Sequence, residues 1–398
     1  MADGARSVEG VRRRNLGEVL RLVHEGGPQS RARLTVATGL NRSTIADLVS
    51  TLVDAGLAVE REPDPTRRAG RPSPVVAASD DVVAIAVNPE IDAIEMAAVG
   101  LNGLVRVRAR EVVDRLITPE DTASSVARIL DEWRNRELSG LRVVGVGVAV
   151  PGLVRATDAV VRYAPHLGWR EASIGTLVQA ATGLPVAVGN DASLGAKAEH
   201  LFGAAVGNDD VVYLNGGASG IGGGLIIDGR LVGGAGGYAG EWGQNKAVIA
   251  DPADRRSRDG VLEDEVSRAR LLDVLGIAAA DDLILAEALA AATDDAVIGE
   301  LSRQRRVLAS TLASAVNVLN PSMIVLGGFL SMLLSADADA LDAAMRVHAM
   351  ADPADDVRIL PAALGDDRLL IGAAELAFAP LLADPLAEPD VEPRAARG

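Results

Sequence analysis

Three apolar runs in this chain stop abruptly at glycine. Residues 143–150 (VVGVGVAV) run into Pro151-Gly152, residues 211–215 (VVYLN) into Gly216-Gly217, and residues 323–326 (MIVL) into Gly327-Gly328. Runs this short and this apolar read as buried strands, which need helices to cover them. Helical stretches at 122–138 and 298–319 supply that cover. Further short strands are expected at 82–87, 94–100, 104–110, 185–188 and 224–227, with Asn102-Gly103 as a hairpin turn. Mixed strands, crossover helices and glycine at strand ends predict an α/β architecture of the nucleotide- or sugar-binding kind.

The chain has 398 residues, enough for two or three domains. It has no cysteine and four histidines, which excludes disulfides, thiolate metal sites and thiol catalysis. No apolar run reaches the roughly 18 residues of a membrane helix, and the first ten residues lack an apolar leader. The chain therefore reads as cytoplasmic, with no membrane partner.

Charge is unevenly spread. Residues 1–79 hold 12 Arg against 9 Asp and Glu, a net of +3, whereas the whole chain stands at −16. A basic head on an acidic body suits a DNA-reading module joined to a small-molecule domain. The head's pattern agrees. A helix at 11–26 with Leu16, Val19, Leu20 and Val23 on one face ends at Gly26-Gly27-Pro28. Ser30 can cap a second helix that begins with Arg31, itself a candidate DNA-binding residue. Thr38-Gly39-Leu40 makes a tight turn, and Asn41 caps a third helix at 42–55. That third helix presents Arg42, Ser43, Thr44 and Asp47 near its N-terminus, the part of a recognition helix that meets base edges or phosphates. Strands at 57–62 and 74–78 flank a loop with Arg67, Arg68 and Arg71, a wing suited to a narrow minor groove. The structural alternative is a three-helix interaction domain with a solvated Arg loop.

Residues 141–169, 184–203, 211–244, 320–328 and 369–377 together resemble the ROK proteins, a family named for repressors, open reading frames and kinases. The head matches the winged helix of the family's repressors, those of the xylose- and N-acetylglucosamine-repressor type. The resemblance implies an N-terminal winged helix-turn-helix followed by a two-lobed actin-like (ribonuclease H-like) sugar-kinase-type fold. It implies a DNA-binding domain at 1–79 and a sugar-kinase-like effector and oligomerisation domain at 80–383. The tail at 384–398 is expected to be disordered.

The same resemblance assigns roles residue by residue. Asp191, in Asn190-Asp191, stands at the family's catalytic carboxylate. Gly152 lies in the strand–Pro-Gly segment. Glu241 keeps the family's sugar-gripping Gly-Glu-x-Gly motif, Gln244 replaces its His, and Glu263 matches a later sugar-binding Glu. Gln can still donate to and accept from hydroxyls. Asp191 also reads as a plain helix N-cap. The family's zinc site is absent, because Asp254, Arg256 and Val261 stand where it has Cys, and Arg and Val cannot ligate zinc. No metal and no cofactor is expected, and ion pairs among the loop's Asp and Arg are expected to order it.

Of two phosphate loops, the first reads Asn88-Pro89-Glu90-Ile91-Asp92 where the family has Asp-x-Gly-Gly-Thr. Side chains there leave no room for phosphate. Each like-charge pair at 4 Å costs roughly 1 kcal/mol in water and ~4 kcal/mol at an effective dielectric of 20. The second, Gly220-Ile221-Gly222-Gly223-Gly224, remains as a loop or as closely packed strand.

The leading reading is a transcriptional repressor of carbohydrate genes. It would be a homodimer or homotetramer on a pseudo-palindromic operator, with a sugar or sugar derivative as effector and no kinase activity. Two alternatives stay open: an active ATP-dependent sugar kinase with an accessory DNA-binding head, and a regulator that has lost small-molecule binding.

Overall fold

The computed structural model describes residues 2–61, 74–258, 260–278 and 280–387, with side chains from Glu9 onward. The wing arginines Arg67, Arg68 and Arg71, and the tail from residue 388, lie outside the described residues.

The head opens with α1 (Ala2–Glu25), longer at its start than the helix expected at 11–26. Strand β1 (Gln29–Ser30), helix α2 (Arg31–Thr38) and helix α3 (Arg42–Asp54) follow, then β2 (Ala58–Arg61) and β3 (Val75–Ala78). The caps are those the sequence offers. Ser30 accepts from Arg33 N, Asn41 accepts from Thr44 N, and Gly39 turns the chain at φ 68°. Only a residue without Cβ adopts that φ freely. Leu16, Leu20, Leu34, Ile45, Val49 and Leu52 are completely buried. Each such side chain contributes about 1.5–3 kcal/mol. The sheet β1-β3-β2 is antiparallel, so helix, turn, helix and hairpin close as a winged helix-turn-helix.

Beyond the head run β4 (Val82–Pro89), β5 (Ala93–Gly100), β6 (Val105–Val112), α4 (Pro119–Arg134) and β7 (Arg142–Val150). A small antiparallel sheet follows, of β8 (Leu153–Val154), β9 (Val161–Ala164) and β10 (Trp169–Ala172). Then come α5 (Ile174–Thr182), β11 (Val186–Asn190), α6 (Asp191–Phe202), β12 (Val211–Gly217), β13 (Gly220–Ile227) and β14 (Arg230–Leu231). The helical stretch holds α7 (Leu262–Glu265), α8 (Arg268–Leu275), α9 (Asp282–Ala291) and α10 (Asp295–Leu319). The chain ends with β15 (Met323–Gly328), α11 (Phe329–Ala336), α12 (Ala338–His348), α13 (Ala351–Asp356), β16 (Arg358–Pro361) and α14 (Arg368–Ala383).

The two five-stranded sheets share one plan. In β11-β7-β4-β5-β6, an antiparallel meander β4-β5-β6 is extended by β7, parallel to β4. In β14-β13-β12-β15-β16, an antiparallel meander β12-β13-β14 is extended by parallel β15 and β16. That repeated plan is the ribonuclease H-like architecture the sequence resemblance implies. Of the two readings open for residues 220–224, the structure has the strand: they are the first half of β13, paired with β12 from Gly217↔Gly220 to Val211↔Ile226.

By internal contacts the chain forms two units: 1–149 with 173–189 and 373–398, and 150–172 with 190–372. In the first, α1 of the head lies along α14. Gly17 sits where a Cβ would meet the Leu382 carbonyl, and Arg13 pairs with Asp384 at 3.1 Å. His24, completely buried, meets the Leu101 carbonyl through Nδ1 and the Glu375 carboxylate through Nε2 (2.9 Å), with its ring edge-on to Phe378. Burial alone would lower the His24 pKa. The Glu375 hydrogen bond and charge, the Leu101 carbonyl and Glu25 outweigh it and raise it above 6.5.

Candidate functional site

All six residues assigned to a sugar site fall in the second unit. Their common wall is β13. Its alternate glycines face opposite ways, as a strand's period of two requires. A Cβ on Gly222 or Gly224 would strike Ala192 or Ala196 of α6, whereas one on Gly223 would strike the Trp242 indole. At the strand's start, Gly220 (φ 123°) abuts the Glu263 carboxylate. The strand thus carries the first turn of α6 on one side, the 240–244 turn on the other, and α7 at its end.

Asn190, rather than Asp191, caps α6, its Oδ1 accepting from Ser193 N at 2.9 Å. Its Nδ2 donates to the Gly152 carbonyl at 3.0 Å and to Asp191 Oδ1 at 3.3 Å. The Asn190 amide is therefore spent inside the protein, and it orients Asp191. Gly152 has no room for a side chain against Tyr163 and Ala164. Asp191 is the first residue of α6, half-buried, with Oδ1 accepting from Ala192 N at 2.8 Å.

Gln244 Nε2 donates to Glu263 Oε1 at 2.6 Å, and Glu263 Oε2 accepts from Ile221 N at 3.3 Å. The residue that replaces the family's His therefore bonds the later Glu directly. Glu241 lies beside them. Although the residue is exposed as a whole, crowding desolvates its carboxyl, and that effect and the charge of Glu263 raise its pKa above the usual range. Trp242 is half-buried and packs against the core of this unit, and Trp169 is buried.

Zinc does not fit the residues present. Arg306 grips the Asp254 carboxylate at 2.8 and 2.9 Å, holding its pKa below the usual range. Arg256 donates to the Ala253 carbonyl, Val261 carries no donor, and Gln244 is bonded to Glu263. Among the described residues no cluster of three His, Asp or Glu side chains could hold a metal. Among the described residues the loop is held from α10, by Arg303 on the Asp254 carbonyl and by Arg306 on the Asp254 carboxylate. Arg303 was not singled out from the sequence. Its only signal is an Arg three residues after Glu300, on a helix whose other buried positions are mostly apolar.

In the first unit, residues 88–92 form a tight turn closed on itself. Glu90 N donates to the Ala93 carbonyl at 2.7 Å, Asn88 Nδ2 to Glu90 at 2.9 Å, and Asp92 pairs with Arg110.

On the head, Arg42, Ser43 and Asp47 are exposed on α3 and Thr44 is half-buried. Ser43 donates to Asn41 at 2.6 Å, and Asp47 pairs with Arg12 at 3.3 Å. Arg31 pairs with Glu60 of β2 at 2.6 Å, so it braces the sheet. Arg42 is the basic side chain that α3 itself presents.

Comparison with known proteins places this geometry. The pattern of the ROK family matches residues 85–379. The chain is 24% identical to the xylose repressor of Caldicellulosiruptor bescii, over 92% of this chain and 96% of that protein. It is 26% identical to the glucokinase of Halalkalibacterium halodurans, over 67% of this chain and 88% of that protein. A solved ROK family transcriptional regulator, a homolog of the E. coli MLC protein, superposes with a TM-score of 0.74 at 23% identity, over 94% of this chain and 97% of that one. Among the described residues no helix is long and apolar enough to cross a membrane. With the family pattern spanning both five-stranded sheets and the six residues around β13, this chain belongs to the ROK family.

Proposed function

We propose that the protein is a DNA-binding transcriptional repressor of carbohydrate genes that answers to a sugar. The observation that carries this reading is the winged helix-turn-helix, with Arg42 and Ser43 exposed on α3. The match to the C. bescii xylose repressor takes in 92% of this chain, whereas the match to the H. halodurans glucokinase takes in 67%. Asp191, Glu241 and Glu263 give the candidate pocket three carboxylates, and Gln244 adds an amide. That set accepts hydrogen bonds from hydroxyls and repels phosphate, so the effector is an unphosphorylated sugar or sugar derivative. Operator DNA and this sugar are the two partners.

The same residues argue against phosphoryl transfer. The turn at 88–92 has Glu90 and Ile91 where the family's loop has its glycines, and Glu90 and Asp92 would set negative charge beside a phosphate. An assay for ADP with ATP and D-glucose, D-xylose or N-acetylglucosamine should show no turnover above the blank. Sugar-dependent ADP formation would establish a kinase instead.

The deciding experiment is genomic DNA capture. Purified protein is mixed with fragmented DNA of its own organism and the retained fragments are sequenced. A shared palindrome beside sugar transport or catabolism genes is expected. No enrichment over a variant carrying Arg42→Ala and Arg71→Ala would refute DNA reading by the unliganded protein.

A further inference from the structure

The loop that lacks a zinc site is not loosely held. Arg303 on α10 is 2% exposed, and Glu265 at the end of α7 is completely buried. A guanidinium has five N–H donors, and all five are placed. Nε and Nη2 donate to the Glu300 carboxylate at 2.8 and 2.6 Å. Nη2 also donates to the Glu265 carbonyl at 2.6 Å, and Nη1 donates to the Asp254 carbonyl at 2.9 Å and to Glu265 Oε2 at 3.4 Å. The Glu265 carboxylate accepts in turn from Arg256 N and Ser257 N, both at 2.9 Å. Gln304 donates to Glu300 at 2.8 Å. Burial pushes the Glu300 carboxyl up, but Arg303 and Gln304 more than offset it and keep it below its usual range.

One side chain thereby ties three segments together: α10, the loop at 253–257, and α7. The fourth segment, 245–247, joins through Leu262 N to the Asn245 carbonyl (2.8 Å) and Ala247 N to the Gly260 carbonyl (2.7 Å). Glu263 sits two residues before Glu265 on the single turn of α7, and Gln244 is bonded to Glu263.

We propose that Arg303 is the positioning residue of the effector site. Its buried guanidinium cross-links the 251–261 loop to α7 and α10 without a metal, and so fixes Glu263 and, through it, Gln244. The planar five-donor fork is what qualifies Arg for this. A lysine ammonium, with three donors around a point charge, cannot reach the same acceptors. The claim of positioning stands on the geometry. Its bearing on the effector rests on the function proposed above.

The test uses full-length protein, wild type and the variants Arg303→Met, Arg303→Lys and Glu265→Gln. Amide hydrogen exchange is followed in peptides covering 241–247 and 253–266. Each variant should exchange at least tenfold faster there, including at Arg256 and Ser257, while β12 and β15 stay protected. In wild type neither EDTA nor added zinc should change exchange. Wild-type exchange rates in the variants, rescue by Arg303→Lys, or faster exchange of wild type in EDTA would each overturn the proposal. Where Arg303→Met does not fold, the other two variants decide. A calorimetric titration with D-xylose, D-glucose and N-acetylglucosamine then addresses the effector. Arg303→Lys should weaken the sugar bound by wild type at least tenfold and leave sugar-free operator affinity unchanged. If wild type binds none of the three, the effector reading for them falls, and the exchange result still decides the positioning.

Discussion

Asp191 and His24 show two ways a single residue can matter here. Asp191 heads α6 with its orientation set by Asn190. A hydrogen bond to a charged group contributes about 1.5–3 kcal/mol, so Asp191→Ala should weaken effector binding roughly 10- to 150-fold. Operator affinity without sugar should stay as in wild type, and an intact sugar response in the variant would move the site elsewhere. His24 predicts a pH dependence. Its pKa in the folded protein lies above 6.5, so its stabilising contribution is complete below about 6.5 and is lost as pH rises through the folded value. Unfolding midpoints in urea should therefore fall from pH 6 to pH 9 more steeply for wild type than for His24→Gln, and parallel curves would contradict this account. Both residues also mark what could be read in advance. Asp191, Glu241, Gln244 and Glu263 sit in short motifs, and the resemblance of those motifs to the ROK pattern is what makes them visible. His24 finds Glu375 across 351 positions and Arg303 finds Glu265 across 38. No local spacing encodes such partners.

Among the elements, β13 shows how far local pattern goes. Its glycines, Gly220 and Gly222 to Gly224, suit a phosphate-cradling loop and a closely packed strand equally well on paper. The choice is made by α6, whose Ala192 and Ala196 approach too closely for any side chain on Gly222 or Gly224. Gly224→Val should therefore destabilise by about 1–3 kcal/mol through overpacking, read as a lower urea midpoint. A neutral result would mean that α6 can shift aside. The helix caps were legible, because Ser30 and Asn41 act within three residues of themselves. Asn41→Ala should cost about 1 kcal/mol, seen as a lower melting temperature of the head. The order of the strands was not legible, since pairing of β12 with β15 joins residues more than a hundred positions apart.

At the scale of the whole molecule, the net charge of −16 bears on DNA binding. An acidic protein is repelled by the duplex, so affinity must come from the head and fall as salt screens it. Arg42→Ala should weaken operator binding by about 1–3 kcal/mol, roughly 5- to 150-fold by anisotropy titration. An unchanged titration would take α3 out of the groove. We expect a homodimer or homotetramer, with half-sites about 34–36 Å apart or a multiple of that. The lean of α1 on α14 has one more consequence. Gly17 meets Leu382, Arg13 meets Asp384 and His24 meets Glu375, so α1 rests on a helix made some 350 positions later. The DNA-reading head waits, through synthesis of the 351 positions that separate His24 from Glu375, for the surface that seats it. A message cut short anywhere upstream yields a head with nothing to lean on.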